Sequence, residues 1–236
     1  MQNHPNGRAH AGRFDAFHVV DHTYAQLVHT LPADRTGVYC HDLDAFRCLL
    51  EPHRDPRPWW FRRLARRTLG GLQRAAVVFH STRAVRDDLL RFGLVDPLKL
   101  FHAAYGVAAE FTPHATSRPP VPWLDEFRGR PWVLHVGSCI PRKRIDVLLD
   151  VVAEVRRAVP ELTLVKVGGE WTADQREQVR RLELANAVVH VNGLSRATLA
   201  EVYRRAPVVL VPSEAEGFGL PVIEALACGA AVKGEW

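Results

Sequence analysis

The sequence has few cysteines and lacks the patterns that mark metal-binding, secreted or membrane-spanning proteins. Its four cysteines include no CxxC pair, and their gaps fit neither a zinc site nor a disulfide framework. Reduced thiols in a cytoplasmic protein are the simplest interpretation. No apolar run reaches the roughly 18 residues that a transmembrane helix needs, and the N-terminus lacks the apolar core of a signal peptide. We therefore expect a cytoplasmic protein without a bound metal.

The composition is that of an ordinary globular protein. Hydrophobic residues make up 47% of the 236 residues and charged residues 24%, which excludes disorder as the main state. The length allows one large domain or two of roughly 100 residues each. The formal charge of +5 fits an acidic ligand but does not by itself indicate one.

Short apolar runs alternate with longer amphipathic stretches along the whole chain. This alternation predicts parallel sheets covered by helices, with binding sites beyond the carboxyl ends of the strands. A stretch rich in proline and polar residues at 112–122 interrupts it and indicates a linker. The predicted organisation is a partial domain at 1–111, a linker at 112–131 and a second partial domain at 132–236. The predicted strands are 17–20, 37–40, 75–79, 99–103, 132–136, 162–167, 188–191 and 208–211, with another opening at 230–232.

The run at 212–229 follows one of these strands and opens a helix. Gly217 and Gly219 allow a tight turn and a close approach to a ligand. Glu216 lies in the loop and Glu224 eight residues later on the helix, and both can accept hydrogen bonds from sugar or ribose hydroxyls. Amides at the start of the helix can bind an anion. The alternative is a pair of solvated acids at a helix N-terminus, where the dipole favours them.

The run at 136–146 is a second strand–loop–helix junction, and it carries three consecutive cations. Lys143, flanked by Arg142 and Arg144, is suited to neutralising a diphosphate. The alternative interpretation is a solvated basic loop.

Together these two runs resemble the retaining glycosyltransferases of the GT-B fold, specifically family 4, the glycosyl transferases group 1 type. The second half of the chain matches that pattern almost throughout. The first half resembles it more loosely, through 40–43, Ser81 and 105–107. The resemblance implies an α/β fold with two Rossmann-like parallel-sheet domains facing a cleft. It also implies transfer of a sugar from a UDP- or GDP-linked donor to a hydroxyl of a glycan, lipid-linked or small-molecule acceptor, with no metal or further cofactor.

The resemblance also implies roles for individual residues. Glu216 would lie near the transferred sugar, and Lys143 would stabilise the departing diphosphate. His41 matches a histidine on the acceptor side, and these three are the expected catalytic residues. Glu224 would hold the ribose hydroxyls. The other residues expected at the donor site are Arg142, Gly137, Gly217, Phe218, Gly219 and Leu220.

The chain departs from the family pattern in ways that define the alternatives. Ser138 stands where the family usually has an arginine, and nothing in 1–16 resembles the glycine-rich loop that usually opens the first domain. We therefore expect a fragment in which both domains are incomplete. The alternative function is an inactive remnant that binds a nucleotide-sugar or a protein partner without catalysis. Within enzymes, the alternative is an epimerase or a phosphorylase of the same architecture.

A further stretch, 57–67, combines aromatic residues with clustered arginines. It suits either docking on an anionic membrane surface or a basic helix whose tryptophan and leucine side chains face the core, and the second interpretation is favoured. No nucleic-acid motif accompanies it, so no nucleic-acid partner is expected.

Overall fold

The structure is a computed structural model, and it describes residues 12–114, 118–214 and 216–234. The chain divides into two compact units, Met1–Tyr105 and Gly106–Trp236. Each unit is built around its own parallel β-sheet.

Unit 1 contains a four-stranded parallel sheet in the order β1-β2-β3-β4. The four strands coincide with the predicted ones to within two residues. They are β1 Phe17–Val19, β2 Thr36–Cys40, β3 Val77–His80 and β4 Leu100–His102. The helices are α1 Arg47–Leu50, α2 Trp59–Arg74 and α3 Arg83–Arg91, with 3-10 helices at His22–His29, Ala33–Arg35, Asp44–Phe46 and Pro97–Lys99.

The core of unit 1 lies on one face of this sheet. Alternate strand residues such as Val38 and Val78 are fully buried there, and they pack with Phe46 and Leu72. The longest helix, α2, packs against the 3-10 helix His22–His29. The burial of one strand face follows from the period of two along each strand.

Unit 2 contains a five-stranded parallel sheet in the order β7-β6-β5-β8-β9. Its strands are β5 Trp132–Val136, β6 Thr163–Val167, β7 Val188–Val191, β8 Val208–Val211 and β9 Ala231–Gly234. Its helices are α4 Pro122–Asp125, α5 Ile145–Ala158, α6 Ala173–Arg181, α7 Arg196–Arg205 and α8 Leu220–Ala227, with a 3-10 turn at Pro141–Lys143. The order of the strands reverses between β5 and β8, and such a switch point opens a crevice at the carboxyl ends of the two strands.

Both faces of the unit 2 sheet are covered, as predicted. Leu164 packs with Leu148 and Leu149 of α5 on one face, while its neighbour Val165 packs with Tyr203 of α7 on the other. A strand buried on both faces explains the nearly continuous apolar runs in this half of the sequence.

The boundary between the units differs from the predicted linker. It lies after Tyr105, and the segment predicted as a linker at 112–131 contributes Val121 and Leu124 to the unit 2 core. The proline-rich composition therefore marks the start of unit 2, where Pro122 begins the short helix α4. Among the helices of the described residues, none is both long and apolar enough to cross a membrane.

Candidate functional site

The loop after β5 brings Lys143 into a buried position. Pro141–Lys143 forms a 3-10 turn, and Arg144 then takes a left-handed conformation with a φ of 47° before α5 begins. This sharp reversal leaves only 10% of the Lys143 side chain exposed. The lysine predicted to bind a diphosphate is therefore largely withdrawn from water.

The loop after β8 supplies the partner of this lysine. Both carboxylate oxygens of Glu216 accept hydrogen bonds from Lys143 Nζ, at 2.6 and 2.7 Å. Arg142 Nη1 lies 3.7 Å from the same carboxylate. The backbone N–H of Glu214 donates to the carbonyl oxygen of Arg142 at 2.9 Å, which ties the two loops together. Three predicted site residues thus meet at the switch point of the sheet.

The start of α8 explains the glycines of the predicted run. Gly219 has a φ of 75° and caps the helix, a conformation that glycine adopts without the strain a side chain would bring. Leu220 is the first helical residue and is exposed, while Gly217 and Phe218 precede the cap and are half-buried. Pro221 has no N–H, and the N–H groups of Val222 and Ile223 both donate to the Gly219 carbonyl oxygen, so these positions of the first turn have no free donor for the anion that the sequence predicted there.

Glu224 lies further along α8 and is half-buried. The hydroxyl of Tyr203, a fully buried side chain of α7, donates to Glu224 Oε2 at 3.4 Å. Burial raises the pKa of the Glu224 carboxyl above its ordinary value, although Tyr203 and Arg196 oppose that shift. Burial likewise raises the pKa of Tyr203, so this hydroxyl remains a donor. Its hydrogen bond orients the second glutamate of the predicted pair.

Glycines allow the loops after β5 and β6 to pack closely. A Cβ atom on Gly169 would lie 2.7 Å from Ser138 Cα, and Gly169 itself has a φ of 57°. At Gly137, a Cβ would lie 3.2 Å from His135 Nε2. A side chain at the predicted site glycine Gly137 would therefore press on the His135 ring.

Three polar residues at this edge of the sheet were missed from the sequence. His135, Lys166 and Ser213 are all buried, at the ends of β5, β6 and β8. His135 Nε2 and the Ser213 hydroxyl have no hydrogen-bond partner among the described residues. The sequence did contain a signal that could have identified them, since each is a polar residue inside or just after a run of apolar strand residues.

His41 lies in unit 1, directly after β2. Its Nε2 is 2.8 Å from the carbonyl oxygen of Val20 and donates to it. Nδ1 is buried and has no hydrogen-bond partner in the described part of the chain. The backbone N–H of His41 in turn donates to His22 Nδ1 at 3.3 Å. The two loops after β1 and β2 therefore hold each other in place.

A cavity of about 490 Å³ adjoins these two histidines within unit 1. Burial lowers the pKa of His22, against the opposing effect of Asp42 and Asp21. The described residues contain no group of three or more His, Cys, Asp or Glu side chains placed to hold a metal ion.

Known proteins resemble this chain most strongly in unit 2. Residues 124–232 match the family model described as "Glycosyl transferases group 1". A D-inositol 3-phosphate glycosyltransferase of Segniliparus rotundus is 42% identical over 105 residues. That match covers 42% of this chain and 23% of the relative.

Solved structures resemble the chain over almost its whole length. A sucrose-phosphate synthase from Thermosynechococcus elongatus matches with a TM-score of 0.74 at 22% identity, over 96% of this chain and 57% of that one. HepE of Anabaena in complex with UDP and glucose matches with a TM-score of 0.72 at 19% identity, over 95% of this chain and 60% of that one. The chain thus spans about three-fifths of each solved protein. At these identities the likeness concerns the fold, and it confirms the predicted pair of Rossmann-like units of GT-B type.

Proposed function

Since residues 124–232 match the family model of the glycosyl transferases group 1, we propose that this chain acts in the transfer of a sugar from a nucleotide-sugar to a hydroxyl acceptor, with retention of configuration. Unit 2 would bind the donor, and His41 of unit 1 would serve the acceptor side. The donor is the substrate of this reaction, and no further cofactor is required. HepE was crystallised with UDP and glucose, which favours a UDP-linked donor over a GDP-linked one.

The observation that carries this proposal is the buried Lys143–Glu216 pair at the switch point of the sheet. A lysine held in a site that excludes water can neutralise the charge that develops on a departing diphosphate. Glu216 and Glu224 supply acceptors for hydroxyl groups of the sugar and of the ribose. The side chain of Arg142 adds a second cation beside the same carboxylate, which suits an anionic ligand.

The first experiment measures the binding of UDP, GDP and their sugar derivatives by isothermal titration calorimetry. We expect micromolar to millimolar binding of one nucleoside diphosphate, and its loss in Glu224→Ala. Glu177→Ala is the matched control, because Glu177 is an exposed carboxylate on helix α6 of the same unit, where it pairs with Arg180. Binding that survives Glu224→Ala unchanged would contradict the role given to Glu224.

Product analysis with a labelled donor and a panel of acceptors tests the reaction itself. Transfer to a hydroxyl with the anomeric configuration kept, as read by NMR, supports the proposal. A changed donor sugar without transfer would indicate an epimerase, and phosphorolysis would indicate a phosphorylase. Donor binding without any turnover would favour the alternative of a non-catalytic binding protein.

We also propose that unit 1 contacts a membrane surface peripherally through the first turns of α2. The interpretation favoured from the sequence placed the tryptophan side chains of this helix in the core. That prediction is wrong, because Trp59 and Trp60 are 74% and 57% exposed. The buried face of α2 is formed instead by small and aliphatic side chains such as Ala65 and Leu72. Exposed aromatic rings beside the exposed arginines of α2 suit the interface of an anionic bilayer.

Vesicle co-sedimentation tests this contact. The chain should bind vesicles that contain anionic lipid more strongly than neutral ones, and the double variant Trp59→Ser/Trp60→Ser should lose that binding. Leu98→Ser is the matched control, because Leu98 is also an exposed apolar residue of unit 1 but lies outside α2. Equal binding of the double variant and the control would contradict the proposal.

A further inference from the structure

Lys166 is a fully buried cation inside an apolar strand. It is the fourth residue of β6, and its side chain has no exposed surface. Its Nζ donates to the carbonyl oxygen of Gly169 at 2.6 Å and lies 5.4 Å from the centre of the Trp171 ring. Among the described residues, no carboxylate lies within ion-pair distance of this nitrogen. The lysine therefore brings an uncompensated positive charge into the interior of unit 2.

Such a charge is not needed for packing. A buried ammonium without a carboxylate partner loses much of its hydration, and one carbonyl oxygen and the face of one ring replace only part of that loss. An aliphatic residue would fill the same space in a strand whose neighbours Leu164, Val165 and Val167 are buried and apolar. The lysine thus costs the fold stability, and its charge lies where it can act on a ligand at the strand ends.

The position of Lys166 places it behind the candidate donor site. It pairs in register with His135 on β5, at the carboxyl end of the sheet. The Gly168–Gly169 loop, whose carbonyl oxygen accepts from Lys166, packs against Ser138 and Cys139. A second contact holds the same segment, because the Gln175 side chain donates to the Cys139 carbonyl oxygen at 3.0 Å. That same loop after β5 continues into the turn that carries Lys143.

His135 lies within reach of several of these charges. Burial, together with the positive charges of Lys166 and Lys143, lowers the pKa of His135 to about 4, while Glu216 opposes this effect. The imidazole is neutral at pH 7 and adds no charge of its own. Lys166, Lys143 and Glu216 therefore all lie close enough to His135 for their charges to act at this edge of the sheet.

We propose that Lys166 is a positioning residue that supplies a fixed positive charge behind the strand-end loops and thereby strengthens the binding of a nucleoside diphosphate at the donor site. This inference rests on the proposed function, because it requires that such a ligand binds there. Lys166 is buried and does not touch the ligand, so it acts through the field at the loops. A buried charge is screened by salt less than a surface one, so the effect persists at physiological ionic strength. The effect grows with the charge of the ligand and is absent for an uncharged nucleoside.

The test compares UDP, UMP and uridine, or the guanosine series if the wild-type chain prefers it, by calorimetry on the full chain. Lys166→Gln removes the charge and keeps a donor for the Gly169 carbonyl oxygen, whereas Lys166→Met removes both. We expect the Kd of the diphosphate to rise about tenfold in both variants, that of the monophosphate to rise less, and that of the nucleoside to stay constant. Arg157→Gln is the control, since Arg157 is an exposed cation near the far end of α5.

Each contrary result has a distinct meaning. If Lys166→Gln binds the diphosphate as tightly as the wild type while Lys166→Met does not, Lys166 only braces the loop and the inference is overturned. Equal losses for diphosphate and nucleoside would also overturn it, because they indicate structural damage. If the wild-type chain binds neither UDP nor GDP, the proposed function fails first, and the inference fails with it.

A measurement on the unaltered chain covers the case in which both variants unfold. Because burial protects an ammonium from exchange with water, we expect the Lys166 side chain to be observable by ¹H–¹⁵N NMR. Its ¹⁵N signal should shift on addition of the diphosphate and stay in place on addition of the nucleoside. A ¹⁵N chemical shift that does not change at saturating diphosphate would overturn the inference.

Discussion

Lys143 and Glu216 form an ion pair in which the carboxylate occupies the ammonium that a diphosphate would bind. Lys143 donates to both carboxylate oxygens, and only 10% and 12% of the two side chains are exposed. An ion pair so shielded from water is stronger than one on the surface. A diphosphate that binds Lys143 must therefore compete with Glu216 for the same ammonium.

Removing the charge of Glu216 should consequently tighten the binding of the product nucleotide. In Glu216→Gln, we expect the affinity for UDP or GDP to rise about tenfold, because the competing carboxylate is gone. Transfer should fall at the same time if Glu216 holds the sugar. Calorimetry and a transfer assay on the same preparation measure both effects.

Glu214→Gln is the matched control for this prediction. Glu214 lies in the same loop and is 65% exposed, and its carboxylate is 3.9 Å from Arg144 and not beside Lys143. The same loss of charge at that position should change nucleotide affinity little. An unchanged or weaker affinity in Glu216→Gln would show that the ion pair does not restrain Lys143.

His135 makes unit 2 sensitive to acid. Its pKa is about 4 in the folded chain because of burial, against an ordinary value near 6.5 in the unfolded chain. The unfolded state therefore binds more protons as the pH falls below about 6.5, and this destabilises the fold. Between pH 7 and pH 5 this residue alone should lower the free energy of unfolding by about 2 kcal/mol.

The variant His135→Phe isolates this contribution. It cannot be protonated, so its free energy of unfolding should change less between pH 7 and pH 5 than that of the wild type, by about 2 kcal/mol. Urea denaturation at the two pH values, monitored by amide hydrogen exchange in β5, measures the difference. Equal pH dependence in the two proteins would mean that His135 is not kept neutral by its surroundings.

At the scale of elements, α2 and the 3-10 helix His22–His29 approach each other most tightly at Gly71. A Cβ atom on Gly71 would lie 2.0 Å from the carbonyl oxygen of Ala25, and a backbone atom cannot move aside as a side chain can. Gly71→Ala should lower the free energy of unfolding of unit 1 by about 2 to 3 kcal/mol. Urea denaturation, monitored by amide hydrogen exchange in β2, checks this value.

The neighbouring residue Gly70 provides the control. A Cβ there would lie 3.7 Å from the ring of His29, an ordinary contact. Gly70→Ala should therefore leave unit 1 as stable or raise its stability by about 0.5 to 1 kcal/mol, through the better helix propensity of alanine. Equal destabilisation by both substitutions would mean that the close contact at Gly71 is not what limits the packing.

The sequence predicted the strands of both sheets because their apolar runs are short and bounded by turn residues. It did not predict the 3-10 helix His22–His29, whose residues show no helical period strong enough to separate it from a loop. It also placed the tryptophans of α2 in the core. Helical spacing fixes which residues share a face, but the face that packs against the 3-10 helix His22–His29 is set by the small residues Ala65, Thr68 and Gly71.

The candidate site could be predicted where its residues lie in continuous runs. Lys143, Glu216 and Glu224 stand in two such runs, and the sheet order brings the first two into contact. The pairing itself could not be predicted, because it depends on the side-by-side position of β5 and β8. Lys166 and His135 were missed for a related reason. A polar residue in a buried strand gives no sign of its partner until the neighbouring strands are known.

At the scale of the whole molecule, each unit has a core of its own. The core of unit 1 is formed by residues between 19 and 95, and the two clusters of unit 2 by residues between 111 and 230. Lys143, Glu216 and Glu224 all belong to unit 2. A domain with its own core on both faces of a sheet is expected to fold alone.

We therefore expect residues 106–236 to fold when expressed alone and to bind the same nucleoside diphosphate as the whole chain. Thermal unfolding should be cooperative. Leu149→Ala, which removes a fully buried side chain of α5, should cost about 2 to 4 kcal/mol in both the separate unit and the whole chain, because its core neighbours are the same in each. A smaller cost in the separate unit would mean that its core is not formed there, and that unit 2 needs the rest of the chain to hold the donor site together.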